Sequence, residues 1–249
     1  MLSRLTWSAV PIIVVLLVWE SVVALAQLPM YFLPAPSIIG FRLWQESFSP
    51  AFHAHVLATF TVACTGVVLA VLSGTVIAWL FYRFHMLYVS FNGIFTVTQA
   101  IPILAIAPLI YVWIPDAFWA RTFVAWLITV FPIYAASYSG LQRIPRELHE
   151  VAALDGASRW QSLHSYEAVL ALPVLLSGVR ISLALATTGA VVGEFLGGRD
   201  GIGALINIAR GLFDTPLLFV AIFVLIGITT LFTGIFMMIE RSVQVRFGA

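Results

Sequence analysis

Two carboxylates stand in apolar surroundings. Glu20 follows Trp19 inside one hydrophobic run, and Glu194 follows Gly193 near the end of another. An ionisable group in such a run is costly and tends to mark a pathway, a relay or a contact between segments. Glu20 reads as a snorkelling residue or an inter-helix contact. Glu194 lies among Gly189, Gly193, Gly197 and Gly198, which permit close helix approach. It reads as a residue that lines or gates a pathway, with Arg121 or Arg199 as its expected partner. Arg180 precedes it by about four turns, roughly 21 Å of helix rise, too far to pair with it along one helix.

Other chemistry is thin. His53 and His55 have the spacing of a metal pair but no third ligand nearby, so they read as part of an interfacial loop, and no metal ligand is assigned. His149 and His164 fall in one polar loop and His85 in another. Cys64 is the only cysteine, which excludes an internal disulfide and any multi-cysteine metal site. No catalytic residue is assigned. All twelve basic residues are arginine. A nucleotide-binding P-loop, Gly-x-x-x-x-Gly-Lys-Ser/Thr, needs a lysine to reach the phosphates. This chain therefore cannot carry one, and any work driven by ATP must be powered by another polypeptide.

These residues must be positioned by membrane-spanning elements. The 249 residues are 61% hydrophobic and 9% charged, with mean hydropathy +1.04. Soluble domains carry about 25% charged residues. A net charge of +1 gives no concentrated basic face for nucleic acid. Six stretches approach the roughly 20 apolar residues of a crossing helix: 9–27, 56–81, 92–113, 118–140, 168–195 and 215–239. The first is too long for the core of a signal peptide and reads as a retained span. Crossing segments must be helical, because hydrocarbon offers their backbone groups no partners. The expectation is one all-α integral membrane domain, residues 1–249, with six transmembrane helices.

Arginine placement orients it. With the N-terminus in the cytoplasm, Arg4, Arg83, Arg143, Arg146, Arg159, Arg241 and Arg246 fall inside. Arg42, Arg121, Arg199 and Arg210 fall outside, and Arg180 lies within the fifth span. Both termini and the 141–167 loop are then cytoplasmic.

Within the third span, "QAIPILAIAPL" carries Pro102 and Pro108, each of which removes a helix hydrogen bond. They read either as a kinked packing helix or as a pathway wall. Outside, Ile202, Leu205, Ile206, Ala209, Leu212 and Phe213 share helical spacing after Asp200, a plausible N-cap. A short amphipathic helix at the outer mouth is expected. Residues 28–55 read as an extended turn and a second such helix.

The cytoplasmic loop contains "EVAALDGASRWQ", residues 150–161. Pro145 suits a first helical turn and Glu147 its positive end. Gly156 stops that helix. Ser158 and Gln161 have capping-box spacing, so a second helix begins there. Ala152, Ala153, Gly156 and Ala157 give the first helix a small-residue face. Either the loop is a solvated connector or it is a docking surface, and 27 residues are long for a connector without a task.

Here the residues resemble a family. Glu150, Ala152, Gly156 and the later Leu172-Pro173 are similar to the EAA signature of membrane subunits of binding-protein-dependent ABC importers, with Val151 where the family has its first alanine. "FLPAPS", "QAIPILAIAPL", "VFPIY", "SGVRISLALA", "VVGE" and "GIGALI" follow the order of the nitrate/sulfonate/taurine-type branch. In one respect the chain departs from the pattern: residues 166–169 read "YEAV" where many members carry Ile-x-Leu-Pro.

The resemblance implies a type I importer permease with a cytoplasmic coupling helix. It implies contact with the ATPase at Glu150, Ala152 and Gly156, with Ala153 and Leu154 as expected neighbours at the contact; Pro102, Pro108 and Glu194 stay the candidates for a pathway or gate on their own residue chemistry. It further implies two ABC ATPase subunits that hold ATP and Mg, none of it bound by this chain. It also implies a separate substrate-binding protein, a second permease copy (this chain again or a close relative), membrane lipid around it, and a bacterial inner-membrane location. Sulfonates, taurine or nitrate are candidate solutes. "QAIPILAIAPL" with "GAVVGE" looks closer to members linked with thiamine-precursor pyrimidines or riboflavin. The alternatives are a passive channel, which needs no docking helix, and a membrane enzyme, which needs intramembrane clusters that these spans lack.

Overall fold

The computed structural model describes residues 2–247, with side chains described for residues 10–158 and 160–243. Every regular element among them is helical. Helix α1 (Leu2–Leu25) is followed by a turn and by α2 (Pro36–Glu46), which opens on a proline that lacks only a hydrogen bond the first turn would not make. The expected turn and short helix over 28–55 are both present. Glu20 makes an inter-helix contact: its carboxylate accepts the Ser37 N–H at 3.0 Å and the Ser37 hydroxyl at 2.6 Å, so it holds the start of α2. Trp19 adds an aromatic contact with Phe219, with ring centroids 5.5 Å apart.

Helix α3 (Pro50–Arg83) has 34 residues, about 50 Å by helix rise. Ser49 caps it by accepting the Phe52 N–H. One non-helical residue, Phe84, separates it from α4 (His85–Val97). The expected loop over 82–91 is thus helix, with the third span starting at His85. A 3₁₀ turn (Thr98–Ala100) and α5 (Ile103–Trp113) complete that span, and the two halves meet at 104°. Next come α6 (Ala117–Gln142), α7 (Arg146–Leu154) and α8 (Arg159–Ser162). A π-helical turn (Leu163–Glu167) leads into α9 (Ala168–Gly197), followed by α10 (Ile202–Gly211) and α11 (Thr215–Phe247).

Among the described residues, four helices are long and apolar enough to cross a bilayer alone: α3, α6, the continuous run Trp160–Gly197 ending in α9, and α11. The bent α4–α5 pair makes a fifth crossing if counted as one. The described apolar part of α1, Val10–Leu25, falls below the length of a full crossing. The six expected stretches therefore resolve into four single spans, one broken one and α1.

Helix α6 is the centre of the bundle, between α3 and α9. Gly66 of α3 and Gly189 of α9 both press on Ala125. A Cβ at Gly66 would meet the Ala125 Cβ at 2.8 Å, and one at Gly189 would meet its Cα at 2.7 Å. Lipid gives no hydrophobic drive between helices, so close packing and hydrogen bonds hold them. Ser182 of α9 donates to the Thr129 carbonyl of α6 at 3.1 Å, and the Trp126 indole donates to Ser73 of α3 at 2.8 Å. Large apolar side chains turn outward, as lipid requires: Leu57, Leu72 and Ile12 are among the exposed ones.

Candidate functional site

The sites marked in the sequence fall at the two ends of α3. At its C-terminal end, α7 lies off the bundle. Glu147 occupies its first turn, and Leu148, Val151 and Leu154 stand exposed, Leu154 at 87%. The helix stops as the glycine signal requires. Gly156 has φ +67°, which favours glycine. The Gly156 N–H donates to Ala153 and the Ala157 N–H to Ala152, closing the helix end in a Schellman arrangement.

The capping box is present. The Ser158 N–H donates to Gln161 Oε1 at 2.7 Å, and the Gln161 N–H to Ser158 Oγ at 3.3 Å. The loop is thus helix, glycine turn, helix. Glu150, Ala153, Leu154 and Gly156 are exposed on it and Ala152 is half-buried. A Cβ at Gly156 would meet nothing within 4 Å, so the turn has open space around it.

His149 was not singled out for a contact by the spacing of residues, yet it joins this loop to the bundle. Its Nε2 lies 2.8 Å from Tyr82 Oη near the end of α3, and its Nδ1 lies 2.8 Å from Tyr166 Oη in the π turn. Glu167, 1% exposed, stands 3.9 Å from the same Nδ1. The π turn occupies the start of "YEAV", the place where the chain lacks the Ile-x-Leu-Pro pattern. The only available signal was that departure.

At the other end of α3, Glu194 is fully buried. Its Oε2 accepts the Thr59 hydroxyl and the Gly203 N–H, each at 2.9 Å. Thr59 in turn accepts the Ile202 N–H at 2.8 Å. The carboxylate and this hydroxyl satisfy the first amides of α10 and sit at its positive end. Asp200 does not cap that helix. Gly201 takes the N-cap position at φ +103°, which swings the chain onto Glu194. A Cβ at Gly201 would collide with the Glu194 carboxylate. His55 contacts Gly201 through Nδ1 at 3.0 Å, so it belongs to this knot and not to a loop.

The expected ion pair of Glu194 with Arg121 or Arg199 is not among the described salt bridges. Arg121 turns instead to backbone, donating to the Asp200 carbonyl at 2.7 Å and the Ala117 carbonyl at 2.9 Å. Arg180 pairs across helices with Glu240 at 3.4 Å, consistent with its distance from Glu194. The amphipathic helix is present as α10: Ile202, Leu205 and Ala209 are buried, while Leu212 and Phe213 lie past its end and are exposed.

Pro102 sits at the break of the third span, in extended backbone, and Pro108 lies inside α5. Ile101 is 45% exposed there. Backbone broken at membrane depth is tolerated against protein or water, not against lipid tails. Tyr111 of α5 donates to the Gly193 carbonyl at 2.7 Å, tying the broken span to the Glu194 knot. Among the described residues, no group of three or more His, Cys, Asp or Glu could hold a metal ion.

Comparison with known proteins adds the following. Residues 66–245 match the family described as binding-protein-dependent transport system inner membrane component. The chain is 44% identical over 232 residues to the riboflavin transport system permease protein RibX of Chloroflexus aurantiacus, covering 92% of this chain and 87% of that one. It is 30% identical over 213 residues to the formylaminopyrimidine transport permease protein ThiX of Halalkalibacterium halodurans, covering 86% and 84%. The fold resembles a chain of the inward-facing MetNI methionine ABC transporter, with TM-score 0.66, 19% identity, and coverage of 80% of this chain and 98% of that one.

Proposed function

The chain belongs to the family of binding-protein-dependent transport system inner membrane components, and on that premise we propose how its two ends divide the work of import. It is the membrane-spanning translocation subunit of an ABC importer. The channel and membrane-enzyme alternatives are not favoured.

In our reading, α7 is the contact with a separate ATPase subunit, made through Glu150, Ala152, Ala153, Leu154 and Gly156. The observation that carries this is an amphipathic helix at the end of the bundle that leaves Leu148, Val151 and Leu154 exposed, Leu154 at 87%. Helical surface of that kind calls for a protein partner. Two ATPase subunits, carrying ATP and Mg, would act on two permease copies. Closure of the motors would rock α7, open the cavity outward toward a loaded binding protein, and reset on hydrolysis. The arginine bias supports cytoplasmic termini in a bacterial inner membrane.

Pro102 and Pro108 would form the pathway wall, since the exposed break needs water or protein beside it. Glu194 would act on the outer gate by holding α10. For the solute we favour a flat nitrogen heterocycle, a flavin or a pyrimidine precursor, ahead of sulfonate, taurine or nitrate anions. The relatives at 44% and 30% identity are named for riboflavin and formylaminopyrimidine.

Co-purification tests the docking. Affinity-tagged chain, co-expressed with a candidate ABC ATPase subunit from the same cell, should retain that subunit. The Gly156→Trp variant should lose it, while Gly156→Ala, which carries the same backbone strain at φ +67° without the bulk, should keep it. Equal retention by the wild type and Gly156→Trp would overturn the assignment of this loop.

A further inference from the structure

We propose that His149 is a positioning residue for coupling, a pin that makes the cytoplasmic end of α3 and the start of α9 move with α7. This deepens, and rests on, the reading of α7 as the ATPase contact.

A helix that merely docked could tilt on flexible flanks without moving the spans. Here α7 is flanked by short connections, Arg143–Pro145 on one side and Asp155–Ser158 on the other. His149 points inward from it, and its two ring nitrogens engage two different elements. Nε2 meets Tyr82 Oη at 2.8 Å and Nδ1 meets Tyr166 Oη at 2.8 Å. A neutral imidazole has one N–H and one lone pair, so it can bridge two hydroxyls at once. Either neutral tautomer does so, donating to one tyrosine and accepting from the other, with the Glu167 carboxylate 3.9 Å from Nδ1.

The anchor points are stiff. Tyr82 is the next-to-last residue of a 34-residue helix. Tyr166 belongs to a π turn that continues into α9, and Glu167 within it is 1% exposed with Oε2 unpartnered. π turns insert an extra residue per turn and recur where helices carry function. Tyr82 and Tyr166 also pack on one apolar cluster with Leu141, Ile144 and Ala171. The imidazole thus links α7, α3 and the π turn leading into α9 through two hydrogen bonds of 2.8 Å.

The test uses the complete complex in proteoliposomes: permease, ATPase and binding protein. His149→Ala, Tyr82→Phe and Tyr166→Phe are compared for ATPase retention, ATP hydrolysis and solute uptake per ATP hydrolysed. His149→Ala should retain the ATPase and its basal hydrolysis but lower uptake per ATP about tenfold. Each Tyr→Phe variant should lower it several-fold, less than additively with His149→Ala. His149→Gln, which keeps a donor and an acceptor, should recover part of the loss. If His149→Ala fails to assemble, the two Tyr→Phe variants decide by the same ratio. Normal uptake per ATP in variants that hold the ATPase would overturn the pin and leave the docking role of α7 standing. Absence of any ATPase from the wild-type complex would instead overturn the docking role.

Discussion

Thr59 of α3 donates its hydroxyl to the Glu194 carboxylate of α9 over 2.9 Å, across 135 positions of sequence. That bond closes a knot in which the carboxylate also holds the Gly203 amide and the hydroxyl holds the Ile202 amide. The first amides of α10 are therefore capped by side chains of two spans, while Ile202, Leu205 and Ala209 of α10 itself pack into the core beside Leu217 and Val220.

Glu194→Ala removes the acceptor of two buried donors, Thr59 and Gly203. Thr59 can turn to the His55 carbonyl at 3.3 Å, so the Gly203 N–H is the group left stranded, and a loss of about 1–3 kcal/mol is expected. Thermal unfolding of the purified chain in detergent measures it. Glu194→Gln keeps one oxygen for the same donors and should lose less. If Glu194→Gln also shows normal uptake and normal ATPase stimulation, the residue is a fastening and has no gating role.

Two glycines near α10 should behave oppositely on substitution. Gly201→Ala places a methyl group on the Glu194 carboxylate, in backbone at φ +103°. It should destabilise by more than about 2 kcal/mol, from strain and the displaced carboxylate together. Gly211→Ala meets nothing within 4 Å and should be neutral or gain up to about 1 kcal/mol from helix propensity. The same unfolding measurement compares them.

Legibility in the sequence followed locality. The long apolar runs gave α6 and α9 to within two residues, and the middles of α3, which starts six residues before its run, and of α11, which ends eight residues after its run, because hydropathy over twenty residues averages out local exceptions. The Ser158–Gln161 box and the Gly156 stop were readable because cap chemistry acts over three or four residues. The 104° break was legible only as a kink, since Pro102 marks where a helix hydrogen bond is lost but not the angle the chain then takes. The partners of Glu194 and His149 were missed because they lie 135 and 67 positions away. Charge alone pointed Glu194 toward an arginine. In the fold a threonine hydroxyl and an amide reach it, and Arg121 is spent on carbonyl oxygens.

Exposure at the broken span separates pathway from lipid. In a Cys64→Ala background, Ile101→Cys should react with a water-soluble maleimide in the assembled complex, at a rate that changes when ATP is bound. Leu72→Cys, 60% exposed on α3, serves as the lipid-facing comparison and should stay unlabelled. Equal, slow labelling of both would remove Pro102 and its neighbours from the pathway wall.

Leu154→Asp puts a charge on a side chain that touches almost nothing in its own chain. Unfolding of the isolated chain should shift by no more than about 0.5 kcal/mol, the range of ordinary surface changes. Retention of the ATPase on affinity resin should fall at least tenfold. Retention at the wild-type level would show that the exposed apolar face of α7 is not the docking surface.

The most direct measurement is ATP-driven uptake in proteoliposomes rebuilt from purified parts: this chain, its ATPase, and its binding protein loaded with labelled solute. Uptake against a gradient should require all three together with ATP, and the chain alone should hydrolyse no ATP and pass no solute. Solute flux through the chain without the ATPase would contradict the account and make the protein a channel.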